Sequence, residues 1–572
     1  MSFVRIGNFP TIRFADRGGR ALLPEVTMDR EGQQSAALRF SPAGRVSILF
    51  GISILLVVVT RLPLQPSHLF SFDSVNLALA LEDFDPTRNQ PQPPGYPLFV
   101  MEARLVHLLF GTPEQTFAVL ELIICGLAVG MLYLLGRRMF SSWVGLTAAA
   151  LLFVNPPFWY SSLTSPLRPH LALISALMAY CCWRASDGEE RYFELASLVL
   201  GLGAGFRPEL SVFLLPLWAW TAWQCRKPRL LFRGVFLLGL ATAVWLAVLA
   251  IGSGGTGRLI PTFSEYLFAQ TQDTSVLLDS SMSWRRTAGR AIIWTALGTI
   301  PWIWTLPFAW KERRSWPDWT RSIPFLAVWF VPAFLFHFAV HIGDPDHALT
   351  TIPALCLVGG FCVVAAERFL SREWVPELKE RGYLIWIVLV GNMVLFFGEF
   401  PVPQRQPAAG FRGWTSASDA ALIGVFESSY GRVRWIEEMT DLGLKGIESL
   451  RKGTDRPVLL LWARDGTPSW RKIAYYHPAE RIYVLDEKGD PGVPASQARL
   501  WSANRVLARH TGAPPFRLTV PKGGRLIWVV GPDAAASLQK ALPLQSFSNL
   551  YYVDLPPDAP SIRWGSFELV PE

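Results

Sequence analysis

Charge is scarce in this chain. Only 17% of its 572 residues are Asp, Glu, Lys or Arg, and 51% are hydrophobic; soluble domains usually carry about 25% charged residues. That deficit argues against an ordinary soluble protein. No Asn-x-Ser/Thr sequence occurs, which counts against residence in the lumen of the endoplasmic reticulum. Cysteine is also sparse. Cys125, Cys181, Cys182, Cys225, Cys356 and Cys362 all lie within or at the ends of apolar runs, and none falls in the polar C-terminal third. This excludes a disulfide framework and a cysteine zinc site.

What the chain has instead is long apolar runs, 24 tryptophans and a net charge of +8. Tryptophan suits membrane interfaces. The basic residues sit in short segments between the apolar runs, so they read as topology signals rather than as a nucleic-acid surface. About eleven runs are candidates to cross a bilayer: 46–64, 114–136, 141–156, 169–184, 193–206, 209–224, 231–252, 289–310, 323–341, 347–366 and 383–399. With the N-terminus inside, every inner loop is basic: Arg137 and Arg138; Arg184 and Arg191; Arg226, Lys227 and Arg229; Lys311, Arg313 and Arg314; Arg368, Arg372, Lys379 and Arg381. The positive-inside rule then predicts a cytoplasmic N-terminus and an external C-terminus.

Three domains follow: a basic cytoplasmic tail over 1–45, a transmembrane domain over 46–400 with its first outer loop at 65–97, and an external α/β domain over 401–572. The tail is too long for the apolar run behind it to be a usual signal peptide. Pro97–Gly111 is apolar but carries Glu102, Arg104 and His107, so it reads as an interfacial helix or the start of a long second helix. In the last domain, compact runs at Val458–Ala463, Arg481–Leu485, Arg525–Val530 and Leu550–Val553 alternate with helix-like Trp470–Tyr476 and Asp533–Ala541. That domain lacks a G-x-G-x-x-G or P-loop fingerprint and reads as a rigid cap.

The first outer loop holds the densest chemistry. Ser71–Phe99 carries Asp73, Glu82, Asp83, Asp85 and Arg88, then a Pro-Gly-Tyr-Pro turn. Ser71 can cap a helix with Asp73 in its first turn, where the helix dipole alone favours an acid. Equally, a carboxylate at the mouth of a membrane cavity can act as general base. Asn76, three residues on, shares its face. Glu82, Asp83 and Asp85 oppose the dipole at the helix end, with Arg88 the nearest partner. Gln90–Pro97 forms a stiff turn.

The remaining outer arginines are Arg168, Arg207, Arg258, Arg285, Arg286 and Arg290. Arg168 and Arg207 occupy tight turns and could hold a phosphate bidentately, or pair with Glu209 or a first-loop acid. The stretch from His341 to His347, with Asp344 and Asp346, could line a cavity, form a plain turn, or ligate a divalent metal.

An acid in the first outer loop, a PPGYP motif, a G-x-R-P turn and a late outer loop, in this order, resemble the GT-C superfamily of membrane glycosyltransferases. Bacterial relatives of the protein O-mannosyltransferases and the lipid A aminoarabinose transferase are the nearest likeness, over about residues 46–400. The resemblance implies a polytopic α-helical membrane protein with an extramembrane α/β domain, sited in a bacterial inner membrane. It also implies inverting transfer of a sugar from a polyprenyl-phosphate donor to a hydroxyl of a protein, lipid or polysaccharide. No cofactor is implied beyond the divalent-metal alternative, and no nucleic-acid partner. Asp73 takes the place of the catalytic acid. Asn76, Asp83, Asp85, Arg88, Tyr96, Arg168, His170, Arg207, His341, Asp344 and His347 are the substrate-binding candidates. The sequence departs from the family's pattern where Ser74 follows Asp73, where Gln90 and Gln92 precede the turn, and at Arg168-Pro169-His170. A lipid-linked saccharide flippase and a catalytically silent glycolipid scaffold are the alternative functions.

Overall fold

A computed structural model of the chain describes residues 41–275, 284–315, 318–373, 382–399, 424–463, 466–488 and 495–572. The basic tail up to residue 40, Lys379 and Arg381 lie outside the described residues, as do the side chains of Arg285 and Arg286.

Helix occupies every one of the predicted apolar runs. Among the described residues, five helices are long and apolar enough to cross a bilayer: Gly44–Leu64, Pro113–Met139, Pro228–Gly252, Trp319–Ala339 and Ile352–Glu373. The run at 289–310 is broken, its two halves Thr287–Thr299 and Ile303–Glu312 bent by 68°. The others are shorter, among them Ser142–Val154, Arg191–Phe206 and Glu209–Cys225. The molecule is therefore a multi-pass helical membrane protein. Pro97–His107 is a helix of its own, separated from Pro113–Met139 by a turn capped by Thr112. It buries Phe99, Val100 and Ala103 and exposes Met101, Leu105 and the following Leu108 and Leu109, as an interfacial helix would.

The loop charges sort to two ends. Arg138 and Arg321 both pair with Asp187, at 2.9 and 2.7 Å, Lys227 pairs with Glu190, and Arg372 pairs with Glu312. These residues come from the predicted inner loops and their edges. Helices such as Pro169–Ser186 and Glu209–Cys225 then carry the chain to the opposite end, where Arg168 and Arg207 sit.

Small residues let the helices approach. A Cβ on Gly145 would lie 2.6 Å from the Tyr133 carbonyl oxygen and 2.7 Å from the Arg137 nitrogen, and one on Gly360 would lie 2.7 Å from the Ala148 nitrogen. Helix Ser142–Val154 is thereby wedged between Pro113–Met139 and Ile352–Glu373. Polar side chains tie other helices: the Trp329 indole donates to Ser175 Oγ at 2.8 Å, and Ser175 donates to the Thr350 carbonyl at 2.7 Å. Without a hydrophobic drive between spans, close contact and such bonds hold the bundle.

The C-terminal domain is a three-layer α/β unit. Among the described residues its ten strands are β1 Val458–Ala463, β2 Ile482–Asp486, β3 Gln497–Ser502, β4 Arg505–His510, β5 Phe516–Val520, β6 Arg525–Val529, β7 Gln545–Phe547, β8 Leu550–Asp554, β9 Ile562–Trp564 and β10 Phe567–Pro571. The main sheet has the order β4-β3-β2-β1-β6-β8-β7, with β1 parallel to both β2 and β6 and the outer strands antiparallel. Along β1, Leu460 faces helices Tyr430–Lys452 and Trp470–Tyr476, while Leu459 and Leu461 face the small sheet β5-β10-β9 and helix Pro532–Leu538. This alternation is the period of two that strands impose.

Replacing Gly145 by Val is expected to destabilise the bundle by about 1–3 kcal/mol, because the new atoms meet backbone that cannot turn aside. The check is the thermal midpoint in detergent; an unchanged midpoint would contradict this packing.

Candidate active site

The helix Phe72–Glu82 begins as the sequence suggests. Ser71 Oγ accepts from the Ser74 amide at 3.0 Å, placing Asp73 in the first turn. Its far end is closed by a neighbour: Arg104 donates to the carbonyls of Leu81 and Ala80, each at 2.9 Å. A cation at a helix C-terminus offsets the unfavourable acids there.

Asp73 opens onto a cavity of about 240 Å³. Its charged lining is Asp73, Arg168, Arg207, Asp344 and Asp346, joined by Gln92 and by hydroxyls such as that of Ser165, and Phe70, Phe72 and Tyr160 supply aromatic wall. Five chain segments far apart in sequence contribute. Arg168 is the buried junction among them. Its Nε lies 3.5 Å from Asp346 Oδ1 and its Nη2 lies 3.1 Å from His347 Nε2, while Nη1 has no hydrogen-bond partner. A guanidinium only donates, so His347 Nε2 must accept. On the other side of the ring, Nδ1 faces the Asp344 backbone, 3.1 Å from its amide nitrogen and 3.2 Å from its carbonyl oxygen, and lies 3.3 Å from Asp346 Oδ1. Ser165 also hydrogen-bonds Asp346. Arg207 pairs with Glu209 and lies over the Tyr96 ring, 5.4 Å from its centroid.

Burial pushes the Asp73 carboxyl above the usual aspartate range; Arg168, Arg207 and a hydrogen bond from Gln92 pull it back only in part, and Asp346 adds to the rise. Burial, and then the Asp346 charge, push Asp344 up to about 6. Burial would raise Asp346 too, but Arg168, His347 and Ser165 outweigh it and hold Asp346 ionised. His341 is pulled down to about 4 by burial and by Arg168, and its ring sits 5.4 Å from that of His347.

The other candidates fall around this centre. Tyr96 is buried beneath Arg207. His170 is one layer deeper, bonded to Glu102 at 2.9 Å and stacked on Phe206. Asn76 is buried against the C-terminal domain, where its Oδ1 accepts from Arg471 at 2.9 Å. Asp83, Asp85 and Arg88 do not line the cavity. Arg88 pairs with both acids, and Asp85 also accepts from the Thr87 amide and hydroxyl, so their charges are satisfied among themselves. Sequence reasoning did not single out Gln92, Tyr160 or Ser165 as lining residues. Gln92 alone carried a signal, as a polar side chain inside the stiff PQPPGYP turn.

Asp344, Asp346 and His347 offer ligand atoms within 4.8 Å of one another. Arg168 already lies against both Asp346 and His347, and its cation opposes a second positive charge there.

Residues 91–251 match the family model of the dolichyl-phosphate-mannose-protein mannosyltransferases. The whole fold is similar to the crystal structure of ArnT from Cupriavidus metallidurans bound to undecaprenyl phosphate. The TM-score is 0.51 at 14% identity, over 90% of this chain and 98% of that one. The chain has an ArnT-like fold. The apo form of the same ArnT gives a TM-score of 0.50 at 12% identity over the same shares. An oligosaccharyltransferase from Archaeoglobus fulgidus aligns over 75% of this chain and 63% of that one, at 14% identity and a TM-score of 0.37. No curated protein matches the chain by sequence. The segment matched by the family model contains Gln92, Tyr96, Tyr160, Arg168 and Arg207, while Asp73 and the Asp344–His347 loop lie outside it.

If Arg168 neutralises Asp346, then Arg168→Gln is more damaging than Arg168→Gln combined with Asp346→Asn, because the single change strands a buried carboxylate. A double-mutant cycle on denaturation is expected to show about 0.5–3 kcal/mol of coupling. Strict additivity would remove Arg168 from this role.

Proposed function

We propose that the protein is a membrane glycosyltransferase that moves a sugar from a polyprenyl-phosphate donor to a hydroxyl acceptor. The observation that carries this reading is one cavity in which the Asp73 carboxylate shares the wall with two buried arginines, one of them with a free guanidinium nitrogen. The acceptor hydroxyl gives its proton to Asp73. Its oxygen forms a bond to the anomeric carbon as the bond from that carbon to the phosphate oxygen breaks, on the opposite face, with inversion. Arg168 and Arg207 offset the charge that grows on the departing phosphate. The match of residues 91–251 to mannosyltransferases and the undecaprenyl phosphate held by the structurally similar ArnT support a donor of this class. The basic inner loops support a cytoplasmic N-terminus and an external cavity and C-terminal domain. In this reading Tyr96 backs Arg207, His347 backs Arg168 with His341 beside it, and Asp344 faces the bound substrate.

The test uses purified protein in nanodiscs with undecaprenyl phosphate as the binding probe and undecaprenyl-phosphate-linked mannose or aminoarabinose as labelled donors. Asp73→Asn is expected to lower turnover by about 10²–10⁴-fold while leaving undecaprenyl phosphate affinity nearly unchanged. Arg168→Gln is expected to weaken that affinity. Wild-type turnover in Asp73→Asn would sink the base assignment.

Only ionised Asp73 accepts a proton, so kcat/KM rises with pH as Asp73 deprotonates. Because burial raises its pKa, the acid limb should lie above the usual value near 3.9. Arg207→Gln removes a group that lowers this pKa, so the limb should move to higher pH. A shift to lower pH would contradict the arrangement.

A further inference from the structure

The C-terminal domain does more than cover the cavity: its helix Trp470–Tyr476 grips the segment that carries Asp73. Trp470 packs edge-on against Phe72, with ring centroids 5.5 Å apart. Arg471 Nε donates to Asn76 Oδ1 at 2.9 Å, and its Nη2 reaches the Asn89 carbonyl at 3.4 Å. The Tyr476 hydroxyl accepts from the Leu69 amide and donates to Glu114, each at 2.8 Å. From the adjoining helix Tyr430–Lys452, Glu437 accepts from the Ser67 amide at 2.9 Å, and Lys472 bonded to Thr440 at 3.0 Å locks the two helices together. The grip therefore falls on both sides of Asp73 in the chain, at Phe72 and at Asn76.

Arg471 is the costly member of this set. It is 1% exposed, its hydrogen-bond partners are an amide and a carbonyl oxygen rather than a carboxylate, and its Nη1 is unpartnered. The guanidinium lies 5.5 and 5.4 Å from the ring centroids of Trp470 and Trp501. Burying a cation without an opposing charge is unfavourable, and burial alone lowers its pKa to about 10. An apolar residue would fill the same space at less cost, so stability does not explain an arginine here. Geometry does. Only a long, planar, multi-donor side chain reaches both Asn76, on the helix, and Asn89, at the start of the turn that brings Gln92 to the cavity.

We propose that Arg471 is a positioning residue for the active site: by bonding Asn76 and the Asn89 carbonyl it fixes the rotation of helix Phe72–Glu82, and with it the aim of Asp73 relative to Arg168 and Arg207. The proposal rests on Asp73 acting as base. A misplacement of about 1 Å at a reacting group can cost about 10²-fold in rate.

The test is Arg471→Gln in the full-length protein in nanodiscs, read in two independent ways. Steady-state transfer should show kcat lower by about tenfold or more, with donor KM and undecaprenyl phosphate affinity within about twofold of wild type. Hydrogen–deuterium exchange should rise in peptides spanning 72–89 and stay unchanged in β6 and β8. Arg471→Lys, which keeps one donor, should recover part of kcat. If Arg471→Gln folds poorly, Asn76→Ala breaks the same bond from the other side and should give the same split. Unchanged kcat, unchanged exchange over 72–89, or a joint fall of kcat, lipid affinity and thermal midpoint would each overturn the positioning role. Asp73→Asn in parallel separates the two ideas. If it retains turnover while exchange over 72–89 still rises in Arg471→Gln, the base assignment has failed and the grip on the helix stands.

Discussion

The contact of Arg168 with Asp346 and His347 is what turns separate loops into one site. Arg168 starts the helix Pro169–Ser186, and Asp346 and His347 precede the helix Ile352–Glu373. Nearly two hundred residues separate them, and each alone would be a charge that the low-dielectric interior disfavours. Together they form a neutralised wall with one guanidinium nitrogen left over. Asp73 and Arg207 then face that wall from the first loop and from the next turn. Remove the junction and Asp346 loses its counter-charge, leaving the late loop tied to this side of the cavity only by neutral bonds such as Ser165 to Asp346 and Ser175 to the Thr350 carbonyl.

The same logic of compensation runs outward. Helix Phe72–Glu82 has Glu82 and Asp83 at the end its dipole disfavours, and Arg104 from the neighbouring helix caps that end. Its apolar side packs on Phe99, Phe117, Leu120 and Leu167 of the membrane domain, and its polar side is held by the C-terminal domain. The sheet's two faces are thus unequal in consequence. One carries helices Tyr430–Lys452 and Trp470–Tyr476, which touch the membrane domain; the other is closed by the small sheet and helix Pro532–Leu538.

Much of this was legible because membrane chains announce their helices by apolar length, and charge alternation separates one end from the other. Asp73, Arg168, Arg207, Asp344 and His347 were legible as unusual polar residues in the segments that join the apolar runs. The reading was less informative wherever polarity has a local answer. Asp83, Asp85 and Arg88 looked like site residues, yet they satisfy one another at the rim. Strands β3, β4 and β5 escaped notice because arginines alternate with apolar residues along them, so they form no compact run. Arg471 was invisible for a different reason: its partner Asn76 lies almost four hundred residues away, and only the folded chain brings them together.

The depth of the site is set by counting residues. Arg207 joins helices of 16 and 17 residues, about 24 and 26 Å long at 1.5 Å per residue, shorter than the roughly 30 Å of a hydrocarbon core. Beside them runs the 25-residue helix Pro228–Gly252. Its Trp245 bonds the Gly201 carbonyl near the end of the shorter helix, and it then continues to Gly252, against Phe84, about 10 Å farther. The arginine turn is therefore sunk below the rim that its taller neighbour builds. A lipid anchored by its tail could present its headgroup there by sliding sideways within its own leaflet, with no need to be lifted out of it.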